Sequence, residues 1–320
     1  MILFSWTKTR EREIDMDAFR TLTLEITTHC QANCVVCVRN KIKYKLGNMT
    51  QELFEKAITE ADDLYQKYGG RIEFIELGGM GEPLLDPKIE QKMEWLKAYY
   101  PNVQVGLTTN GQLLMHKKDM ICKYIDVLKI SNYGYTKQSF ESVHRGSLEF
   151  ENIKDNIEKF LQISKDFRPK TIMSFLILKE NEGEEDAWRH YWEEKCEEIY
   201  IWLPHNWAGY KESHTKQIHE KCRSCGRPGK DFTVRANGDI SVCCLDFNRK
   251  MSLGNLYEES FEDIYESEKL KKIIDMHRNR SFFEYENICQ HCDQIYDRTD
   301  ALIYSSNDNF KVNSRTLADN

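Results

Sequence analysis

The chain has 320 residues, 40% hydrophobic and 30% charged, with a formal net charge of −7. That length carries one large core and a smaller module, and the acidic balance, with Lys and Glu interspersed, excludes the broad basic face that generic nucleic-acid binding needs. The N-terminal apolar run 1–6 is stopped by charge at Lys8, so neither a secretory signal nor a membrane span is read, and the chain is expected in the cytoplasm.

Residues 1–20 form an extension ahead of the first expected strand, 21–26, where apolar and polar residues alternate. Directly after it comes Thr28-His29-Cys30-Gln31-Ala32-Asn33-Cys34-Val35-Val36-Cys37. Thr50 is placed to cap a helix running to Tyr68 and ending at Gly69-Gly70. A strand over 71–77 leads into Gly78-Gly79-Met80-Gly81-Glu82-Pro83, and Asp86-Pro87 opens the next helix. Further strands are expected over 103–108, 127–131, 172–178 and 199–203, with helices between them. Six strand–helix repeats make an α/β fold over 21–203: a parallel sheet with helices outside, closed or partly closed as a (β/α)6 TIM-like barrel. In such folds chemistry sits beyond the C-terminal strand ends. The cysteine loop, the glycine loop and Thr109-Asn110-Gly111 all fall there.

After 203 the pattern changes. Residues 204–221 are polar and read as a linker or lid, 222–302 as a cysteine-rich module, and 303–320 as a polar tail that frays. Within the module, strands over 232–235 and 239–243 are joined at Ala236-Asn237-Gly238, and a helix is expected over 261–274.

Nine of the eleven cysteines fall in short-spaced groups, Cys122 and Cys196 standing alone, which points to metal ligation rather than to the framework of a small secreted domain. A structural zinc at Cys30, Cys34 and Cys37 would want a fourth ligand, and the adjacent His29 is poorly placed to give it. Three thiolates around an iron–sulfur cubane leave one iron open to a small molecule, which suits an enzyme better than an electron carrier.

The spacing Cys30-x3-Cys34-x2-Cys37, followed by the glycine loop 78–83, resembles the radical S-adenosylmethionine (radical SAM) superfamily. The resemblance implies a partial barrel and an open iron that chelates S-adenosylmethionine (SAM). It also implies reductive cleavage to methionine and a 5'-deoxyadenosyl radical that takes a substrate hydrogen. By the same resemblance, Gly79, Gly81 and Glu82 meet the methionine amino group, and Asn110 and Ser131 the ribose or carboxylate. Arg145 is a candidate for the carboxylate, against a plain helix-end charge. The residue before the third cysteine is usually aromatic and packs on adenine; here it is Val36.

Cys225, with Pro228 after it, then Gly238 and Cys243, then Cys289-Gln290-His291-Cys292, resembles the auxiliary-cluster modules of this superfamily. With no cysteine after Cys292, the resemblance implies the shorter form of the SPASM module, called twitch, holding a second 4Fe–4S cluster. A four-cysteine zinc ribbon is the alternative. Cys222 competes with Cys225, and Cys244 with Cys243; the Pro and Gly spacings favour Cys225 and Cys243. Cys244 is left as a candidate hydrogen-atom donor, though free cysteines mostly fill cores. Residues 202–209 are a candidate pocket wall between barrel and module, with His205 or Lys129 as a base. The shorter module resembles that of aminocyclitol dehydrogenases, so oxidation of a small sugar or cyclitol alcohol leads. A radical epimerase, a peptide maturase and a non-enzymatic iron–sulfur carrier follow, the maturase disfavoured by only about twenty residues ahead of the barrel. The expected partners are a small-molecule or peptide substrate and a reducing donor such as flavodoxin or ferredoxin, with neither nucleic acid nor membrane.

Overall fold

The computed structural model describes residues 21–307 except 69, 166, 168, 214–221 and 297–300. The N-terminal extension 1–20, the linker's second part 214–221 and the tail from 308 on therefore lie outside the described residues. In chain order the elements are β1 (Thr21–Leu24), α1 (Gln51–Lys67), β2 (Phe74–Leu77), α2 (Ile89–Tyr99), β3 (Gln104–Thr109), α3 (Lys118–Tyr124), β4 (Val127–Ser131), α4 (Lys137–Val143), α5 (Phe150–Ser164), β5 (Lys170–Leu176), α6 (Glu185–Trp192) and β6 (Glu198–Trp202). The module adds β7 (Asp231–Val234), β8 (Asp239–Ser241), β9 (Ser252–Asn255), α7 (Phe261–Tyr265), α8 (Glu268–Asn279) and β10 (Leu302–Ser305).

Strands β1 to β6 pair in parallel and in sequence order, as expected of βα repeats. They belong to one 10-stranded sheet ordered β10-β6-β5-β4-β3-β2-β1-β7-β8-β9. The barrel is therefore open. Strand β7 takes the free edge of β1 in parallel, Thr21 opposite Asp231 and Leu24 opposite Val234, and β10 takes the free edge of β6 antiparallel. Both edges are covered, which protects them from pairing with other chains. The core is continuous across the junction: Leu22, Leu24, Ile75 and Leu107 of the barrel share one apolar cluster with Phe232, Val234, Ile240 and Phe261 of the module.

Three expectations are corrected. The helix over 261–274 is two helices, because Ser260 caps α7 through a capping box with Asp263, and Ser267 caps α8 by accepting from Leu270 N. Helix α2 starts at Ile89 rather than at Pro87: Asp86 instead accepts from Lys88 N and pairs with the fully buried Lys92 at 2.7 Å. The polar tail begins later, since Leu302–Ser305 is a strand. Among the described residues no helix is long and apolar enough to cross a membrane.

Candidate active site

Leu22 and Leu24 point into the core and set β1's register, so the chain leaves the sheet at Glu25. The following loop is pinned at its base. Thr28 N donates to Gly47 O (3.0 Å), Met49 N to Ile26 O (2.8 Å), and Thr27 Oγ1 to Asn48 Oδ1 (2.6 Å). It holds Cys30, Cys34 and Cys37, all half-buried. Burial and the charges of Cys37 and Cys30 push the Cys34 thiol up to about 12, while Cys30 is raised by burial and by Glu82. Cys34 Sγ lies 3.1 Å from His144 Nδ1, just past α4. His144 is buried, stacked parallel to Tyr133 and packed on Phe140 at 4.3 Å, and burial pulls it down to about 4.

The glycine loop lies directly against the cysteine loop. Gly78 N donates to Leu24 O, Met80 N to Glu25 Oε2, and Glu82 N to His29 O. Gly79 has φ +130°, and a Cβ on Gly81 would sit 2.2 Å from Thr27 O. Glu82 is turned inward: its carboxylate accepts from Thr109 Oγ1 (2.9 Å), Asn110 N (2.8 Å) and Leu84 N (3.2 Å), and burial pushes it up to about 7. Placed so, Glu82 ties the glycine loop to the end of β3. Asn110 reaches the cysteine loop, with Nδ2 4.0 Å from Cys30 Sγ and Oδ1 accepting from Gln31. Ser131 ends β4 half-buried and hydrogen-bonds the Tyr133 hydroxyl. Arg145 is exposed, at φ +51° in the turn that ends α4. The side chain that meets a site cysteine there is its neighbour His144.

The module gathers a second set. Cys225, Cys243, Cys289 and Cys292 border one cavity, together with Ala208, Arg227 and His277; Cys222 and Cys244 are not among its lining residues. Cys244 hydrogen-bonds Cys243 and lies near Arg227 and Arg235, which together pull its thiol below the usual range despite burial. Cys196 donates to the Trp192 and Glu198 carbonyls, and Cys122 packs on the core.

A short segment joins the two sets. Asn206 exchanges hydrogen bonds with the buried Asp293 and donates to His291 O, between Cys289 and Cys292. Trp207, Ala208 and Gly209 then all take positive φ (52°, 53°, 85°). For the two non-glycine residues this costs ~1–3 kcal/mol each. The turn lets Trp207 Nε1 donate to Val36 O at 2.9 Å, beside Cys37, while Ala208 faces the second cavity. His205 accepts from Trp207 N and packs edge-on to its ring, and Lys129 lies on β4 two residues before Ser131.

Residues 24–190 match the family model described as Radical SAM superfamily. The chain belongs to that superfamily. Residues 222–293 match SPASM, an iron-sulfur cluster-binding domain. This radical SAM enzyme is 22% identical over 289 residues to the S-adenosyl-L-methionine-dependent 2-deoxy-scyllo-inosamine dehydrogenase of Niallia circulans, across 88% of this chain and 96% of that one. Among solved structures, BtrN in complex with AdoMet and 2-DOIA aligns with a TM-score of 0.59 at 18% identity, over 89% of this chain and 98% of BtrN. SuiB of Streptococcus suis, bound to its precursor peptide SuiA, aligns with a TM-score of 0.64 at 14% identity, over 87% of this chain and 70% of SuiB. At these identities the two structures share the fold.

The enzyme uses a 4Fe–4S cluster, SAM and auxiliary iron–sulfur binding in its SPASM domain. The side chains fit such groups. Four thiols stand around one cavity. Metal coordination takes the proton off a thiol and relieves the mutual repulsion that burial imposes. Two buried histidines, His144 and His277, stand beside one thiol set each, and among the described residues the Nε2 of each has no hydrogen-bond partner. Neither was expected from the sequence. The signal for His144 was the buried face of α4, which runs Phe140, Val143 and then His144 at helical spacing. Gly81→Ala is expected to weaken SAM binding by roughly tenfold or more, because overpacking against the Thr27 and His29 carbonyls costs ~1–3 kcal/mol. Equilibrium SAM binding to the reconstituted protein checks this.

Proposed function

We propose that this radical SAM enzyme oxidises a secondary alcohol of a small sugar or cyclitol to a ketone. The observation that carries the reading is the cavity bordered by Cys225, Cys243, Cys289 and Cys292, joined through Asn206 and Trp207 to the loop of Cys30, Cys34 and Cys37. When bound, the cofactors supply a 5'-deoxyadenosyl radical at the first site and a one-electron acceptor at the second. The balance requires both. Removing a hydrogen atom from the carbinol carbon leaves a ketyl radical; loss of the hydroxyl proton to a base and of one electron to an acceptor gives the ketone. Cys30, Cys34 and Cys37 hold the first cluster in this reading, and Gly79 and Gly81 let the backbone approach SAM. Asn110 and Ser131 line the same rim. Val36 leaves adenine an aliphatic contact, and Trp207, docked on its carbonyl, closes the wall. His205 and Lys129 are the base candidates. Similarity along nearly the whole of a cyclitol dehydrogenase supports the substrate class. The enzyme works in the cytoplasm, with electrons from a small donor such as flavodoxin or ferredoxin.

The rival is an epimerase in which Cys244 returns a hydrogen atom. That role needs a thiol that reaches the substrate, and Cys244 is not among the residues lining the cavity that Cys243 borders. The test is anaerobic turnover with SAM, a low-potential reductant and a set of aminocyclitols that includes 2-deoxy-scyllo-inosamine, run in D2O. Ketone formed one-for-one with 5'-deoxyadenosine, and unchanged in Cys244→Ala, is the expected result. Product without a ketone, carrying solvent deuterium and lost in Cys244→Ala, would establish the epimerase instead.

A further inference from the structure

Helix α8 buries Leu270, Ile273, Ile274 and Met276, and the same face carries His277. An imidazole on an apolar stripe is costly unless both nitrogens are used, because a buried unpaired donor or acceptor costs about 1–3 kcal/mol. His277 is 2% exposed and its ring stands edge-on to Phe282 at 5.0 Å. Its Nδ1 lies 3.0 Å from Ser224 Oγ, and that oxygen already accepts from Gly226 N at 3.1 Å. The serine proton is thereby free to go to Nδ1, and with Nδ1 as the acceptor the ring proton sits on Nε2. Nε2 is buried and has no partner among the described residues. The ring lines the cavity that Cys225, Cys243, Cys289 and Cys292 border. Apart from the Gln294 amide, the side-chain acceptors at this cavity are sulfurs: the four thiolates and the sulfides they would enclose.

We propose that His277 donates its Nε2 proton to a sulfur of the auxiliary cluster and raises that cluster's reduction potential, with Ser224 as the positioning residue that fixes the tautomer. The inference rests on the reading that these four cysteines hold the auxiliary cluster. Hydrogen bonds to cluster sulfurs are among the determinants of potential. Reduction adds negative charge to the sulfurs, so a donated hydrogen bond is stronger in the reduced state and favours it. Backbone donors already serve Cys243, from Leu245 N at 3.3 Å, and Cys292, from Gln294 N at 3.5 Å. His277 adds a side-chain donor from the opposite element. An acceptor with a raised potential is what a ketyl radical needs to discharge its electron forward.

The test is an anaerobic redox titration followed by electron paramagnetic resonance, on the full chain carrying Cys30→Ala, Cys34→Ala and Cys37→Ala so that only the auxiliary cluster signals. His277→Phe, which keeps the contact with Phe282, is expected to disfavour reduction about tenfold, a fall of ~59 mV for a one-electron couple. His277→Gln keeps an N–H of similar reach and is expected to restore most of the potential. Ser224→Ala frees the ring proton to move to Nδ1 and is expected to shift the potential the same way by less. Equal potentials in the parent, His277→Phe and Ser224→Ala, at equal iron and sulfide content, would overturn the proposal. If His277→Phe does not retain iron, Ser224→Ala decides alone: a lowered potential supports the hydrogen bond and an unchanged one overturns it. A parent chain without iron would instead refute the placement of the cluster, a different failure from that of the histidine.

Discussion

The 320-residue chain in which Cys30, Cys34 and Cys37 are all alanine is expected to lose SAM cleavage below detection and still bind about four irons and four sulfides. The expectation follows from the separation of the two thiol sets. The first set lies on one loop after β1, pinned by the Thr28–Gly47 and Ile26–Met49 hydrogen bonds, so removing the thiols leaves the loop's anchorage intact. The second set comes from three segments of the module and shares no cysteine with the first. The reciprocal variant, Cys289→Ala with Cys292→Ala, is expected to cleave SAM but yield 5'-deoxyadenosine without ketone, since no acceptor remains for the substrate electron. Cys122→Ala is expected to change neither readout, because that thiol packs on the barrel core. Iron and sulfide analysis with product chromatography covers all three proteins. A triple variant that holds zinc and no iron would sink the auxiliary-cluster reading and make the module structural.

Much of the barrel was legible because local patterns settle it. Strand β4 was read at its observed bounds, since its apolar alternation and the flanking turn residues agree. Thr50 caps α1 as its position predicts, accepting from Leu53 N at 3.1 Å. What was not legible is long-range. Nothing local to residues 231–234 says that β7 will lie beside β1, more than two hundred positions earlier, rather than only beside β8. Strand β10 was lost for the same reason: its partner is β6, and its own four residues are too short a run, ahead of a polar tail, to declare themselves. Cysteine spacing is a covalent-scale signal, and it singled out the set that the fold gathers around one cavity. Histidines carry no comparable signal. His144 and His277 matter through the atoms they face, which follows from helix phase and packing partners far away in the chain. Glu25 and Arg235 were missed as well, because a buried ion pair is visible only when both strands are in place.

That pair makes the second large prediction. Arg235→Met is expected to destabilise the chain by about 3–5 kcal/mol, the range for removing one partner of a buried ion pair. Both side chains are fully buried, with Arg235 Nη1 3.2 Å from Glu25 Oε2. Among the described residues Glu25 would be left with the Tyr44 hydroxyl and the amides of Met80 and Ala236 as donors. Urea unfolding followed by circular dichroism should move to lower denaturant by roughly 1 M or more, for a slope of about 3 kcal/mol/M. Adding Glu25→Gln to Arg235→Met is expected to recover part of the loss, since the orphaned charge goes while an acceptor for Met80 N remains. The same pair links the two cysteine sites. Arg235 Nη2 donates to the carbonyls of Cys244 and Asp246 in the auxiliary loop, and Glu25 holds Met80 in the glycine loop. Arg235→Met should therefore weaken SAM binding as well as the fold, whereas a purely local strand contact would lower stability and leave SAM affinity unchanged. A shift below about 1 kcal/mol, within the range of an exposed ion pair, would show that the fold does not depend on this connection between barrel and module.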